Sequence, residues 1–231
     1  MPARLRGRSQ AKRSRSPLLR ALGDLDQAAL RLLRTRGRQP PVEATMRTLG
    51  AIGEWAAVWA AIGGASAVAD PARRGRWTAA AAVGPVAIGL NFAVKLAVGR
   101  ERPLIEGHPP LARAPSKLSV PSAHATSSFA AATALGRVEP RARPPLYTLA
   151  AAICLSRPYL GMHYPSDVLA GAALGLAIGS LAPGLGEAGV EERLIDLAAE
   201  TRAERRASQS NGGVPDRATE ASADEPATPA A

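Results

Sequence analysis

Residues 77–98 read WTAAAAVGPVAIGLNFAVKLAV and run directly into GRERP at 99–103. Apart from Asn91 and Lys95 the stretch is apolar, and its length matches the roughly 20 residues that a helix needs to cross a hydrocarbon layer. Arg73, Arg74 and Arg76 precede Trp77, the aromatic-and-cation arrangement of a membrane interface. Upstream, Leu49 to Val68 is apolar except for Glu54 and reads as an equally long span. Downstream, Ala123–Leu135, Leu146–Leu155 and Val168–Leu181 are apolar but shorter. Gly171, Gly175 and Gly179 recur every fourth residue in the last of these, a spacing that lets a neighbouring helix backbone come close inside a membrane bundle. The expected fold is therefore all-α, a polytopic membrane bundle of about five spans.

The flanks differ from this middle. Residues 1–17 hold Arg4, Arg6, Arg8, Lys12, Arg13 and Arg15 without the apolar run of a signal peptide, so they read as a disordered basic arm. From Leu18 to Leu33 apolar residues recur at helical spacing among Arg20, Asp24, Asp26 and Arg31, too charged to span and suited to an amphipathic helix on the membrane surface. From Glu187 the chain is polar, with a helix near 190–206 and disorder beyond. The expected division is an arm and surface helix at 1–44, a membrane-embedded catalytic unit at 45–183 and a polar tail at 184–231.

The formal charge of +10 calls for an anionic partner, and with only three lysines almost all of it is arginine, the better side chain for forked contacts to phosphate oxygens. Cys154 is the only cysteine, which excludes an internal disulfide and a cysteine-based zinc site. The carboxylates Glu54, Asp70, Glu101, Glu106 and Glu139 are scattered, with no pair spaced to hold magnesium or zinc, so no metal and no other cofactor is expected.

Three polar clusters sit at the ends of spans: KLAVGRERP at 95–103, PSAH at 121–124 and SRPYLGMHYPSD at 156–167. Ionisable residues at membrane depth are costly and are functional candidates by default. An alternating bundle brings all three to one face. Lys95, Arg102 and Arg157 supply charge for a phosphate that gathers negative charge in its transition state. Ser122, Ala123 and His124 open a helical run, whose first amides favour anions. His163 and His124 divide the nucleophile and proton work. Asp167, one helical turn past His163, can orient that ring, which makes His163 the nucleophile and His124 the general acid. His108, alone in a Pro-rich loop, is given no role, and Arg100, Arg113 and Lys117 read as solvated or headgroup-facing.

The patterns K-x6-R-P, P-S-x-H and S-R-x5-H-x3-D resemble the three-part signature of the type 2 phosphatidic acid phosphatase and vanadium haloperoxidase superfamily, over roughly Leu49 to Leu181. That resemblance implies a phosphohistidine at His163, proton donation by His124, and phosphate binding by Lys95, Arg102, Ser122, the amide of Ala123 and Arg157. Ala123 stands where the family usually has glycine, so the backbone there must avoid positive φ. PSKLSVPSAHATSS and LGMHYPSDVLAG are also similar to the actinobacterial branch that acts on decaprenylphosphoryl-5-phosphoribose. The implied partners are a lipid or polyprenyl phosphate substrate and membrane lipids, without nucleic acid. Undecaprenyl diphosphate, phosphatidic acid and phosphatidylglycerophosphate are the alternative substrates. A vanadate-dependent haloperoxidase and a non-enzymatic binder of anionic lipid or nucleic acid are the alternative functions. The resemblance implies a site facing outward from the cell membrane, whereas the twelve basic residues between Arg4 and Arg47 favour one facing inward.

Overall fold

The computed structural model describes residues 17–36 and 39–182, so the basic arm, the polar tail and the helix expected near 190–206 lie outside the described residues. Seven helices follow one another: α1 (Pro17–Thr35), α2 (Pro40–Ile52), α3 (Ala57–Ala69), α4 (Arg74–Val98), α5 (Ala123–Val138), α6 (Arg143–Tyr159) and α7 (Pro165–Leu181). Three-residue 3-10 turns at Glu54–Ala56, Pro71–Arg73 and Pro140–Ala142 connect neighbours. No strand forms among the described residues; an isolated bridge between Glu101 and Leu118 clips together the two ends of the α4–α5 loop.

Helix α5 is the hub, with every residue buried except Ala123, Phe129 and Arg137. Its side chains are mostly Ala, Ser and Thr, which allows close neighbours on all sides. Helix α7 uses this most fully. A methyl group on Gly171 would stand 2.6 Å from the Ser122 carbonyl, and one on Gly179 would stand 2.5 Å from the Ala130 carbonyl. Because Gly171, Gly175 and Gly179 meet successively later residues of α5, the two helices run parallel, both starting at the same end of the bundle. Helix α4 packs on another side of α5, tied by Asn91 Nδ2 donating to Thr126 Oγ1 at 2.8 Å and to the Pro121 carbonyl at 3.2 Å. At the far end, Arg137 caps the last carbonyls of α7 and of Ala182 at 2.7–3.1 Å. Arg73 joins Asp70 at 2.5 Å to the Val138 carbonyl at 2.9 Å.

The outer faces are apolar. Val86, Leu90, Phe92 and Leu96 on α4, Leu155 on α6 and Leu169 on α7 are exposed, a surface suited to lipid and too extensive for a water-facing monomer. Pro71–Val98 is by itself long and apolar enough to cross a bilayer, while α7 is apolar but shorter.

One expectation is corrected. The span read at Leu49–Val68 is not one straight helix: α2 ends at Ile52, and the chain bends by 53° before α3. The cause is packing at Gly53, where a Cβ would lie 2.6 Å from Ile153 Cγ2 and 3.1 Å from His124 Cδ2. Trp55 and Ala56 then take left-handed backbone angles, φ 53° and 62°, at a cost of roughly 1–3 kcal/mol each for such residues. Helix α1 forms as expected, and the structure adds that it docks on the bundle. Its Leu30 and Arg34 are fully buried, Asp26 nearly so, and the helix packs on α6 and α7.

Replacing Gly175 by Val should destabilise the protein by about 1–3 kcal/mol through overpacking against the α5 backbone. Gly64→Ala, with open space around it and a helical position, should stabilise by about 0.5–1 kcal/mol. Thermal unfolding in detergent measures both.

Candidate active site

The helix directions settle where the polar clusters go. α4 and α6 end, and α5 and α7 begin, at the same end of the bundle, so Lys95, His124, Arg157 and His163 converge there. A cavity of about 150 Å³ is lined by Lys95, Arg102, Ala123, His124, Arg157 and His163, with Glu54, Trp55 and Phe92 also on its wall. Ser122 and Asp167 stand behind this lining, both with no exposed surface.

The cations are not matched by carboxylates. Among the described residues Lys95 Nζ hydrogen-bonds only to the Ser119 carbonyl, at 3.5 Å. Arg102 is held by the α4–α5 clip, its Nε on the Ser116 carbonyl at 2.8 Å and one terminal nitrogen on the Met162 carbonyl at 2.6 Å. Arg157 is buried, and its Nε has no hydrogen-bond partner among the described residues; the same is true of the Ser122 hydroxyl. A buried polar atom left without a partner costs about 1–3 kcal/mol unless something binds there. These two orphans sit at the mouth of α5, where the first amides of a helix also lack intrahelical acceptors. The Ser122 amide is an exception, since it donates to the Asp167 carbonyl at 2.9 Å, leaving the amides of Ala123 and His124 to face an anion. Among the described non-glycine residues only Trp55 and Ala56 have positive φ, so Ala123 sits in an ordinary backbone conformation.

The two imidazoles have distinct settings. His163 Nε2 lies 3.0 Å from an Arg102 terminal nitrogen, which can only donate, so Nε2 carries a lone pair. Its Nδ1 lies 3.4 Å from the Ser119 hydroxyl and 3.7 Å from Asp167 Oδ2. At that distance the ring makes no direct hydrogen bond to Asp167, and the Ser119 hydroxyl, which donates to Asp167 Oδ2, bridges the two. The tautomer is Nδ1–H. Burial, with Arg102 and Lys95 nearby, pushes the His163 pKa down to about 3 despite the opposing pull of Asp167, so the ring is neutral. His124 Nε2 lies 3.0 Å from the Gly50 carbonyl, an acceptor only, and therefore carries hydrogen. Glu54 Oε2 is 3.5 Å from the same nitrogen and pairs with the ring whenever it is protonated.

Comparison with known proteins follows these residues. The sequence pattern that defines the PAP2 superfamily matches residues 76–186. A Mycobacterium tuberculosis protein named decaprenylphosphoryl-5-phosphoribose phosphatase is 40% identical over 151 residues, which make up 64% of this chain and 82% of that one. The chain belongs to the PAP2 superfamily. A protein of the same name from Mycolicibacterium smegmatis is 42% identical over 136 residues, 58% of this chain and 73% of that one. Among solved structures, a transmembrane PAP2-type phosphatidylglycerolphosphate phosphatase from Bacillus subtilis superposes with a TM-score of 0.58 at 25% identity, covering 71% of this chain and 85% of that one. LpxE of Aquifex aeolicus shares the fold, with a TM-score of 0.57 at 23% identity over 68% of this chain and 94% of that one. With its long apolar helix and these neighbours, this PAP2 chain is a membrane protein.

Sequence reading alone passed over Ser119. Ser119 lies two residues before the PSAH cluster and carries no mark that separates it from any loop serine. Arg100, read as solvated, donates to Asp167 Oδ1 at 2.8 Å.

Histidine side-chain nitrogen spectra recorded from pH 8 to 5 should show His163 neutral throughout with its proton on Nδ1. A doubly protonated His163 ring at pH 6 would contradict this assignment.

Proposed function

We propose that this chain is a multi-pass cell-membrane phosphatase that hydrolyses a lipid- or polyprenyl-linked phosphate through a phosphohistidine, with decaprenylphosphoryl-5-phosphoribose as its favoured substrate. The observation that carries the reading is the neutral His163, whose Nε2 lone pair meets Arg102 at the wall of a cavity lined by three cations, with the partnerless Arg157 Nε among them and the partnerless Ser122 hydroxyl behind. In the first step Nε2 attacks phosphorus and the bond to the leaving alkoxide breaks. Lys95, Arg102, Arg157, the Ser122 hydroxyl and the Ala123 amide hold the phosphate oxygens, and Arg102 passes its hydrogen bond from Nε2 to one of them. His124 protonates the alkoxide. In the second step water, deprotonated by His124, attacks phosphorus and the P–N bond breaks. Asp167 stabilises the positive charge that the His163 ring gains on phosphorylation.

Support for a lipid substrate comes from the cavity wall, where Phe92, Ile88 and Trp55 adjoin the polar end, and from the apolar outer faces of α4 and α7. Support for the sugar headgroup comes from the names of the two mycobacterial relatives. The catalytic unit spans 45–183, and the cavity opens to the cytoplasm, as the basic residues ahead of α2 favour.

His163→Ala should abolish phosphate release from a panel of lipid phosphates assayed in detergent with excess chelator. His124→Ala should retain more activity on an activated aryl phosphate than on the lipid, because a good leaving group needs no proton. Equal losses on both would remove His124 from the acid role. In a Cys154→Ser background, a membrane-impermeant thiol reagent applied to intact cells should label Gly75→Cys and spare Gly107→Cys; the reverse pattern would place the cavity outside.

A further inference from the structure

Helix α1 precedes every apolar span, yet its one buried carboxylate reaches the start of α7. Asp26 Oδ1 accepts the Ser166 amide at 2.9 Å, and Oδ2 accepts both the Ser166 hydroxyl and an Arg100 terminal nitrogen, the latter at 2.8 Å. The other terminal nitrogen of Arg100 donates to Ser166 Oγ and to Asp167 Oδ1, each at 2.8 Å, and its guanidinium stacks 4.1 Å above the Tyr164 ring. Arg100 is thus clamped between two carboxylates, one of which contacts His163. A second contact of α1 reaches the same loop from its other side. Arg34 donates to the Tyr159 carbonyl at 3.1 Å and the Pro109 carbonyl at 2.5 Å.

We infer that Asp26 is a positioning residue of the active site, holding Arg100 on Asp167 and so fixing the His163 ring for attack. This rests on the phosphohistidine reading above. A purely structural dock of α1 needs only its apolar face, with Leu30 already buried; it does not need a buried carboxylate aimed at the same arginine as Asp167. An acid in α1 placed to satisfy Arg100 prevents that arginine from drawing Asp167 away from the ring, and it anchors the first turn of α7 through the Ser166 amide. Removing the charge should loosen the ring without touching the phosphate cage. The effect therefore falls on kcat and leaves KM in place.

The test uses the full-length protein in detergent, with turnover of the lipid phosphate and of an aryl phosphate measured beside thermal unfolding. Asp26→Asn should lower kcat about tenfold on both substrates with KM within twofold of wild type. Asp24→Asn, an exposed carboxylate on the same helix, should match wild type. In an Asp167→Asn background, Asp26→Asn should add less than a twofold loss, because it acts through Asp167. Full multiplication of the two losses, a change in KM alone, or wild-type kcat in Asp26→Asn would overturn the inference. Should Asp26→Asn not fold, Asp26→Ser removes the charge facing Arg100 with a smaller side chain; it should lower kcat several-fold with the same dependence on Asp167, and unchanged kcat would overturn the inference equally. Wild-type turnover and its loss in His163→Ala, read in the same assay, report separately on the phosphatase reading.

Discussion

The contact on which everything else depends is the side-by-side descent of α5 and α7. Two parallel helices this close need a strip without side chains, and Gly171, Gly175 and Gly179 provide it against the α5 backbone. A membrane offers little hydrophobic drive for such pairing, so the energy comes from dispersion across the tight contact. Its geometric result is that the Ser122 amide meets the Asp167 carbonyl, which ties the cavity end of α5 to the carboxylate beside His163. The two halves of the chemistry are set by one helix pair.

That arrangement also decides the field in the cavity. Two helix N-termini and two helix C-termini meet there, so their dipoles largely offset, and the positive field comes from Lys95, Arg102 and Arg157. Asp167 spends its charge on Arg100, Ser119 and the Tyr164 amide as well as the ring. Glu54 is half-exposed at the rim. An anion entering the cavity therefore relieves a standing excess of positive charge, and desolvation inside the bundle strengthens each contact it makes.

Much of this was legible in the sequence because polar residues inside apolar runs stand out, and because alternation of helices sends Lys95, His124, Arg157 and His163 to one end. The parts that were not legible share a physical cause. The break after Ile52 looks, in composition, like a span with one stray glutamate; it comes from Gly53 meeting His124 and Ile153, residues far along the chain. Ser119 acquires its importance only through the Glu101–Leu118 clip, and Asp26 only through a partner 140 positions away. Helical periodicity correctly gave α1 an apolar stripe, yet periodicity weighs a charged residue as polar wherever it points. It therefore counted Asp26 among the charges that keep α1 out of the bilayer, when that carboxylate is buried against the bundle. The names of the mycobacterial relatives agree with the branch that the PSKLSVPSAH segment resembles.

The reach of α1 to α7 has a consequence for how the protein is made. Asp26 leaves the ribosome early and meets its partners only when Ser166 and Asp167 have followed, after the helices between them have been placed. The carboxylate that orients His163 and the glycines that seat it on α5 all belong to the last described helix. During synthesis the early cations and His163 are present before Asp167 and the glycine strip, so a chain halted before α7 has the basic residues and the ring without the helix that seats them against α5. The cavity end of the bundle is thus completed only when the last described helix has been made.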